Sequence, residues 1–511
     1  MSLLKYHTYE EARKGFKWSD AWDVFDGNPE HFNMAHECID RHKDKGTAIR
    51  IRFEDGHSEK YTFAEISKLS SQFANLLESL GVVKGDRVAI MLDPCLEFYV
   101  CLFGTMKKGA IVVPCFQLFG PEALEHRIKD SQAKVLVTIQ EKTNIVSEGL
   151  VPHLFVTGEG FIDLLKAQKD SYDADTTSGK DVAVYQYTSG TTRQFPEAIK
   201  HYHRSIVTLM PAAVFGRGLR PGDRYFCPSP PAWGHGLWHG TLSPLALGVA
   251  VGAYSGKFDV ANLLNALEEF KIDNIGAMPT VYRMIKNSGL ISNYKLNIKK
   301  MHYTGEPMDL DTFNFLKETF GVSPHSGYGS TEAGALIYHY AGFEGWRVKP
   351  GSLGKPMPGV EVSLLDDQGN EVKQGEIGEI ALKRRGEWFR VKDAAYVDED
   401  GYFWHKGRVD DIIISAGWTI SPVEIEDVMK KHKAVKDVAV VGVPDKDRGQ
   451  IIKGFVVTDA ERTPELAKEL QDFVRNQLSK HEYPREIVYL DKLPRTEAGK
   501  IKRNELKQSS L

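Results

Sequence analysis

Apolar residues recur at helical spacing along Phe63, Ile66, Leu69, Phe73, Leu76 and Leu80. They follow Thr62-Phe63-Ala64-Glu65, whose threonine and glutamate suit a capping box. Gly81 and Gly85 break the stripe, and residues 86–92 read as a short apolar strand. A helix around 97–106, a strand at 110–113, a further helix and a strand at 134–138 follow. Short apolar strands alternating with amphipathic helices predict an α/β fold, its sheets mostly parallel and covered by helices on both faces. The rhythm returns at 259–277, where Leu263, Leu264, Leu267 and Phe270 form the buried stripe.

Near residue 350 the pattern changes. Pro350, Gly351, Pro356, Pro358 and Gly359 punctuate short β-type runs at 360–365 and 379–382, which predict a smaller antiparallel or β-barrel-like segment over about 345–409. Beyond Arg408 the pattern is that of a small α+β unit. Ser421-Pro422-Val423-Glu424 opens a helix with a cap, a proline at the first position and a returning glutamate. Strands at 438–443 and 452–457 follow, and Thr463-Pro464 opens another helix. The predicted division is a large N-terminal domain, 1–409, and a small C-terminal one, 410–511.

Composition narrows the function. The 511 residues are 42% hydrophobic and 26% charged, and Lys+Arg 65 against Asp+Glu 69 leaves a net charge of -4. No basic field points to nucleic acid. Cys38, Cys95, Cys101, Cys115 and Cys227 are odd in number and include no Cys-x-x-Cys pair. That disfavours a disulfide frame or structural zinc and suits a reducing, cytoplasmic setting. The early residues turn charged too soon for a signal peptide, and the longest apolar run, near 245–254, holds glycines and is too short for a membrane span.

Chemistry enters at Tyr187-Thr188-Ser189-Gly190-Thr191-Thr192, after an apolar run. Hydroxyls and free backbone N–H groups at a strand-to-loop turn suit phosphate oxygens, although the hexapeptide reads equally as a polar hairpin turn. No Gly-Lys-Ser or Gly-Lys-Thr triplet of a Walker A loop occurs. His235 and His239 stand four apart, but Gly236 occupies the place of the glutamate that a His-Glu-x-x-His metal site requires.

Downstream come Gly305-Glu306-Pro307, Gly327-Tyr328-Gly329-Ser330-Thr331-Glu332, Asp393, Asp400-Gly401-Tyr402-Phe403-Trp404, Gly407-Arg408-Val409-Asp410-Asp411 and Leu493-Pro494-Arg495-Thr496-Glu497-Ala498-Gly499-Lys500. In this order, with the threonine-rich loop, they resemble the adenylate-forming (AMP-binding) superfamily of acyl-CoA synthetases, luciferases and peptide-synthetase adenylation domains. The likeness covers nearly the whole chain beyond residue 60 and points to the medium-chain/benzoate-type acyl-CoA ligase branch. It implies an ATP-dependent, AMP-forming reaction of a carboxylic acid with coenzyme A through an acyl-adenylate, with Mg²⁺ as cofactor.

The resemblance also implies residue roles. Thr188, Ser189, Gly190, Thr191, Thr192 and Thr331 would hold phosphates, and Glu332 would ligate Mg²⁺, a hard cation suited to carboxylate oxygen. Tyr328 would stack on adenine with Gly305, Glu306 and Pro307 as the opposite wall, and Asp393 and Arg408 would grip the ribose hydroxyls. Lys500 would neutralise charge as the carboxylate meets the α-phosphate. Asp410 matches the hinge of a mobile C-terminal domain, and Gly417 would let the coenzyme A arm pass close to backbone. Trp233, His235, Gly236 and Gly329 would line the acyl pocket. Acetyl-CoA synthetases carry tryptophan where Gly329 stands, so the acid is expected to be larger than propionate: medium-chain aliphatic, alicyclic or aromatic. Lys500 resembles acetylated members too, making a lysine acetyltransferase an expected partner.

Two departures stand out. Arg193 replaces a glycine and Glu197 a lysine of the family's phosphate loop, and Val391-Lys392 precedes Asp393 where the family has Thr-Gly. The first leaves room for a non-catalytic acyl- or nucleotide-binding relative; an adenylating enzyme with a carrier-protein acceptor is the third reading.

Overall fold

The computed structural model describes residues 2–187, 198–330, 333–415, 418–445, 449–478, 482–495, 499 and 501–509. They form two compact units that divide between Gly359 and Val360. The β-rich segment expected in the N-terminal domain thus belongs, from Val360 onward, to the same unit as the C-terminal residues.

The first unit is built on two sheets. In one, His153–Val156, Val135–Thr138, Arg87–Ile90, Ile111–Pro114 and Val182–Tyr187 run parallel in that spatial order, and Ala198–Tyr202 closes the edge antiparallel. The other has nine strands. Its parallel centre is His325–Ser330, Lys300–Tyr303, Asn274–Ala277, Arg224–Phe226, Ala250–Ser255 and Thr47–Phe53, flanked by antiparallel strands. The expected parallel sheets are therefore present.

Local signals account for the helices. Helix Phe63–Ser79 carries the capping box of Thr62 and Glu65, and buries Phe63, Ile66, Phe73 and Leu76. It packs on helix Leu96–Lys107 at Gly104, where a Cβ would stand 2.6 Å from the Ser70 carbonyl oxygen, so only glycine permits this approach. Helix Val260–Glu269 starts at Asp259, whose carboxylate accepts the Asn262 N–H. It seats Leu263, Leu264 and Leu267 against Ile275, Tyr282, Met301 and Leu316. Among the described residues no helix is long and apolar enough to cross a membrane.

The second unit begins with an antiparallel meander, Val362–Leu365, Gly378–Arg384, Glu387–Val397 and Phe403–Arg408, paired in sequential order. The first and last strands do not pair, so this segment is an open sheet rather than a closed barrel. A one-turn helix, Val409–Asp411, leads to the two-stranded ribbon Ile413–Ser415 and Trp418–Ile420. A three-stranded sheet follows, of Asp437–Asp445, Gly449–Val457 and Glu486–Tyr489, with helices Pro422–Met429 and Pro464–Gln477. Their shared core holds Ile425, Met429, Val438, Val440, Ile452, Leu470 and Val474. Helix Pro422–Met429 has the Ser421 cap, but Glu424 does not return to it: its carboxylate pairs with Lys406 of the meander.

Candidate functional site

Thr188, Ser189, Gly190, Thr191, Thr192, Thr331, Glu332, Gly417 and Lys500 lie outside the described residues. The other site residues fall in one or other unit.

In the second unit the register of strands Glu387–Val397 and Phe403–Arg408 sets Asp393 directly opposite Arg408. Arg408 Nη1 lies 3.6 Å from Asp393 Oδ1, and His405 Nε2 lies 3.8 Å from the same oxygen. Asp393 is largely buried while the guanidinium stays part-exposed, leaving a carboxylate acceptor and a cationic donor side by side at the strand end. Lys392, standing where the family has glycine, adopts φ 62°, the left-handed region that glycine enters without cost. Its N–H donates to Glu379 Oε1 at 2.9 Å. The bend before Asp393 thus survives the loss of glycine.

The segment leading to Lys500 is clamped at both ends. Arg495 and Ile501 form an antiparallel bridge, and the Lys502 N–H donates to the Pro494 carbonyl at 2.9 Å. Arg495 Nη1 donates to the Gly499 carbonyl at 2.7 Å, while Nη2 pairs with Asp437. Three residues beyond Lys500, Arg503 Nη2 reaches both oxygens of Glu426, at 2.6 and 2.7 Å. Glu426 also accepts the Val440 N–H at 2.8 Å. Burial pushes the Glu426 carboxyl above its ordinary value, against the opposing pull of Arg503. Sequence reasoning missed both clamps, because an arginine near the tail reads as a solvated charge.

In the first unit Gly305, two residues past strand Lys300–Tyr303, has φ 92°, a glycine conformation. A Cβ there would stand 3.4 Å from Trp233 Cη2, so these two expected site residues are neighbours. Glu306 is committed elsewhere. It accepts the Thr280 N–H at 2.7 Å, its other oxygen takes Arg283 Nη2 at 3.0 Å, and it thereby caps helix Pro279–Ser288. Tyr328 and Gly329 lie on strand His325–Ser330, at a bulge against Gly334–Tyr338. A Cβ at Gly329 would stand 2.1 Å from the Gly334 carbonyl oxygen. Any side chain at 329 must therefore shift the hairpin, and a tryptophan exchange there perturbs backbone before it tests pocket volume.

His235 opens the π-helical turn His235–Leu242, a form frequent at functional sites. Gly236 lets this turn sit directly on the preceding loop: a Cβ would stand 2.3 Å from the Pro230 oxygen. The Trp233 and His235 rings lie 5.3 Å apart. His239 and His302 lie 5.8 and 6.0 Å from the His235 ring. Burial first, then the positive charge of Arg217, lowers all three imidazoles, His235 to about 3, so they are neutral near pH 7. No cluster of three or more metal-ligating side chains occurs among the described residues. The five cysteines are all free.

Residues 36–387 match the family model of the AMP-binding enzyme, and residues 424–500 that of the AMP-binding enzyme C-terminal domain. The chain is 32% identical to an acetyl-coenzyme A synthetase of Bacillus subtilis (strain 168), over 98% of this chain and 95% of that one. It is 30% identical to the mitochondrial acyl-coenzyme A synthetase ACSM3 of Mus musculus, over 98% and 93%. An anthranilate CoA ligase solved in complex with anthranoyl-AMP superposes with a TM-score of 0.85 at 28% identity, over 97% of this chain and 99% of that one.

Proposed function

The chain belongs to the AMP-binding enzyme family as an acid–thiol ligase of the acyl-CoA synthetase kind, and on that premise we propose that it joins a medium-chain aliphatic, alicyclic or aromatic acid to coenzyme A. The observation that carries the nucleotide half of this reading is the strand register that sets Asp393 against Arg408. A carboxylate and a guanidinium held at one strand end can bind two vicinal hydroxyls at once.

In the first half-reaction an oxygen of the acid attacks the α-phosphorus of ATP. The new P–O bond forms as the bond to pyrophosphate breaks, giving an acyl-adenylate. Two anions must approach, so the Lys500 ammonium lowers the barrier by neutralising the charge that develops. Mg²⁺ would supply further neutralisation at the phosphates, with Glu332 its expected ligand. In the second half-reaction the coenzyme A sulfur attacks the acyl carbonyl and AMP leaves. Rotation about Asp410 would exchange Lys500 for the Gly417 segment between the two steps. Asp410 sits in the one-turn helix Val409–Asp411. Lys406–Glu424 and the Ser421 hydroxyl donating to the Lys406 carbonyl at 2.8 Å join the segments before and after that turn. Rotation must break these contacts. Acetylation of Lys500 would remove its charge and stop the first step alone.

An anthranilate and a benzoate CoA ligase are among the structures similar to this chain and support an acid of this size, whereas the acetyl-coenzyme A synthetase relative acts on a smaller one. The test is the full chain with ATP, Mg²⁺, coenzyme A and a panel of acids, read as thioester by mass and as pyrophosphate release. Thioester from acids of six or more carbons is the expected result. Acyl-AMP that coenzyme A never discharges would refute the acceptor, and no acid-dependent pyrophosphate at all would leave only a binding protein.

A further inference from the structure

Behind Trp233 lies a buried polar group of unusual composition. His235 is 5% exposed, and its Nδ1 meets the Ser229 hydroxyl at 2.9 Å. Its Nε2 is buried with no hydrogen-bond partner. The imidazole of His302, 6.0 Å away, has its Nε2 engaged by the Tyr225 hydroxyl at 2.8 Å. Beneath them stands Arg217, 1% exposed. It donates to the His239 carbonyl at 2.6 Å and to the Ser243 hydroxyl at 2.7 Å, and its Nε finds no acceptor. Among the described residues no carboxylate lies within ion-pair distance of Arg217, so its positive charge acts unpaired on the His235, His239 and His302 rings.

A buried polar atom without a protein partner is costly, and a ligand or an ordered water is needed to complete its bond. The position of this one is informative. Trp233 neighbours both His235 and Gly305, and Gly305 lies two residues past strand Lys300–Tyr303. No His235 atom lies within 4 Å of a Cβ at Gly305, so of the two rings His235 is the one farther from that residue. In the tautomer in which the Ser229 hydroxyl donates to Nδ1, Nε2 carries the proton and is a donor with no acceptor among the described residues. The positive charge of Arg217 behind the ring favours an acceptor that is oxygen and electron-rich.

We infer that the acid carries an oxygen remote from its carboxyl group, in a hydroxyl, oxo or second carboxyl, which accepts a hydrogen bond from His235 Nε2. This rests on the acyl-CoA ligase reading and narrows it: aliphatic or aromatic, the acid is oxygenated at its far end. A site that offers a buried hydrogen bond discriminates strongly against an analogue that cannot make it.

The test uses matched acids in which one methyl is exchanged for a hydroxyl, heptanoate against 6-hydroxyhexanoate, 4-methylbenzoate against 4-hydroxybenzoate and 3-methylbenzoate against 3-hydroxybenzoate, and a fourth pair, heptanoate against hexanedioate, in which a terminal ethyl is exchanged for a carboxylate. With the full chain, at least one oxygenated member should exceed its methyl partner in kcat/KM by about tenfold or more, equal to about 1.4 kcal/mol. The hexanedioate arm tells a carboxylate from a neutral oxygen. His235→Phe should collapse that ratio, and His235→Gln, which keeps an N–H, should retain part of it. Methyl acids that equal or beat every oxygenated partner in the unaltered enzyme would overturn the inference alone. Thioester from no acid of either kind would overturn the ligase reading and this inference with it. The matched acids are compared first on the unaltered protein, so a variant that fails to fold leaves that comparison intact.

Discussion

Removing Arg503 isolates a buried carboxylate, and the consequence has a definite size and pH dependence. Glu426 has a side chain only 5% exposed, and Arg503 Nη2 spans both its oxygens. In Arg503→Leu the carboxylate keeps, among the described residues, the Val440 N–H as its hydrogen-bond donor and only the weaker pull of Lys430, so it takes up a proton instead of remaining charged. Carrying that proton from the ordinary value of 4.5 to pH 7 costs about 3.4 kcal/mol, at about 1.36 per unit, which is the upper bound of the deficit because the parent carboxyl is itself raised above 4.5. This agrees with the loss of about 3–5 kcal/mol when one partner of a buried pair is removed. The sign follows from proton counting. With the folded value raised, the native state binds more protons than the unfolded state above pH 4.5, so stability is lost as pH rises from there through the folded value. The deficit of the variant should shrink by about 1.4 kcal/mol per unit as the pH falls from 7 and vanish near the folded value of the parent carboxyl, which lies above 4.5. Hydrogen exchange of peptides from helix Pro422–Met429 and strand Asp437–Asp445, with parent and variant compared at each pH, reads this directly. At pH 7 the variant should exchange faster by on the order of a hundredfold. Glu426→Gln combined with Arg503→Leu should recover most of the loss, because a neutral amide still accepts the Val440 N–H. A deficit that is constant from pH 5 to 8, or a double variant no better than the single one, would refute the reasoning. Lys500 lies three residues before Arg503, so the adenylation rate should fall with the same pH profile.

Lys500→Ala should slow acyl-adenylate formation by about 10²–10³-fold while leaving thioester formation from supplied acyl-adenylate nearly intact; equal loss in both steps would remove the role assigned to this lysine. Asp393→Asn and Arg408→Ala should each raise KM for ATP by roughly 10-fold or more, with a double variant worse than either by less than the product, since the pair acts as one unit. An unchanged KM for ATP would remove both from the nucleotide site. Lys392→Gly should be neutral or stabilising by up to about 1 kcal/mol, because the left-handed strain it relieves is offset by the added freedom of the unfolded chain. Lys392→Val should destabilise by more than about 1 kcal/mol, as a β-branched side chain fits that conformation worse than lysine. Thermal melting of the two variants, if it moved in parallel, would count against a backbone origin.

Much of this protein is written in short-range pattern. The capping box at Thr62 and Glu65, the stripe of helix Phe63–Ser79 and the strand–helix rhythm that makes the sheets parallel depend on residues within a few positions of one another, where helical and strand periodicities act directly. The motif residues were also legible one by one. Their company was not. Asp393 meets Arg408 only because two strands pair in one register, and a slip of one residue would turn the two side chains to opposite faces. Glu306 reads as part of a nucleotide wall, and only the tertiary structure adds that its carboxylate caps a helix start adjacent in space. The meander reads as barrel-like until the partners of its outer strands are counted. The unpartnered His235 nitrogen and the uncompensated Arg217 have no local signature at all, because a missing partner is a property of everything packed around an atom. Local preference selects the elements; which charges end up paired, buried or left open is decided by contacts between residues far apart in the chain, where desolvation makes each unmade bond count.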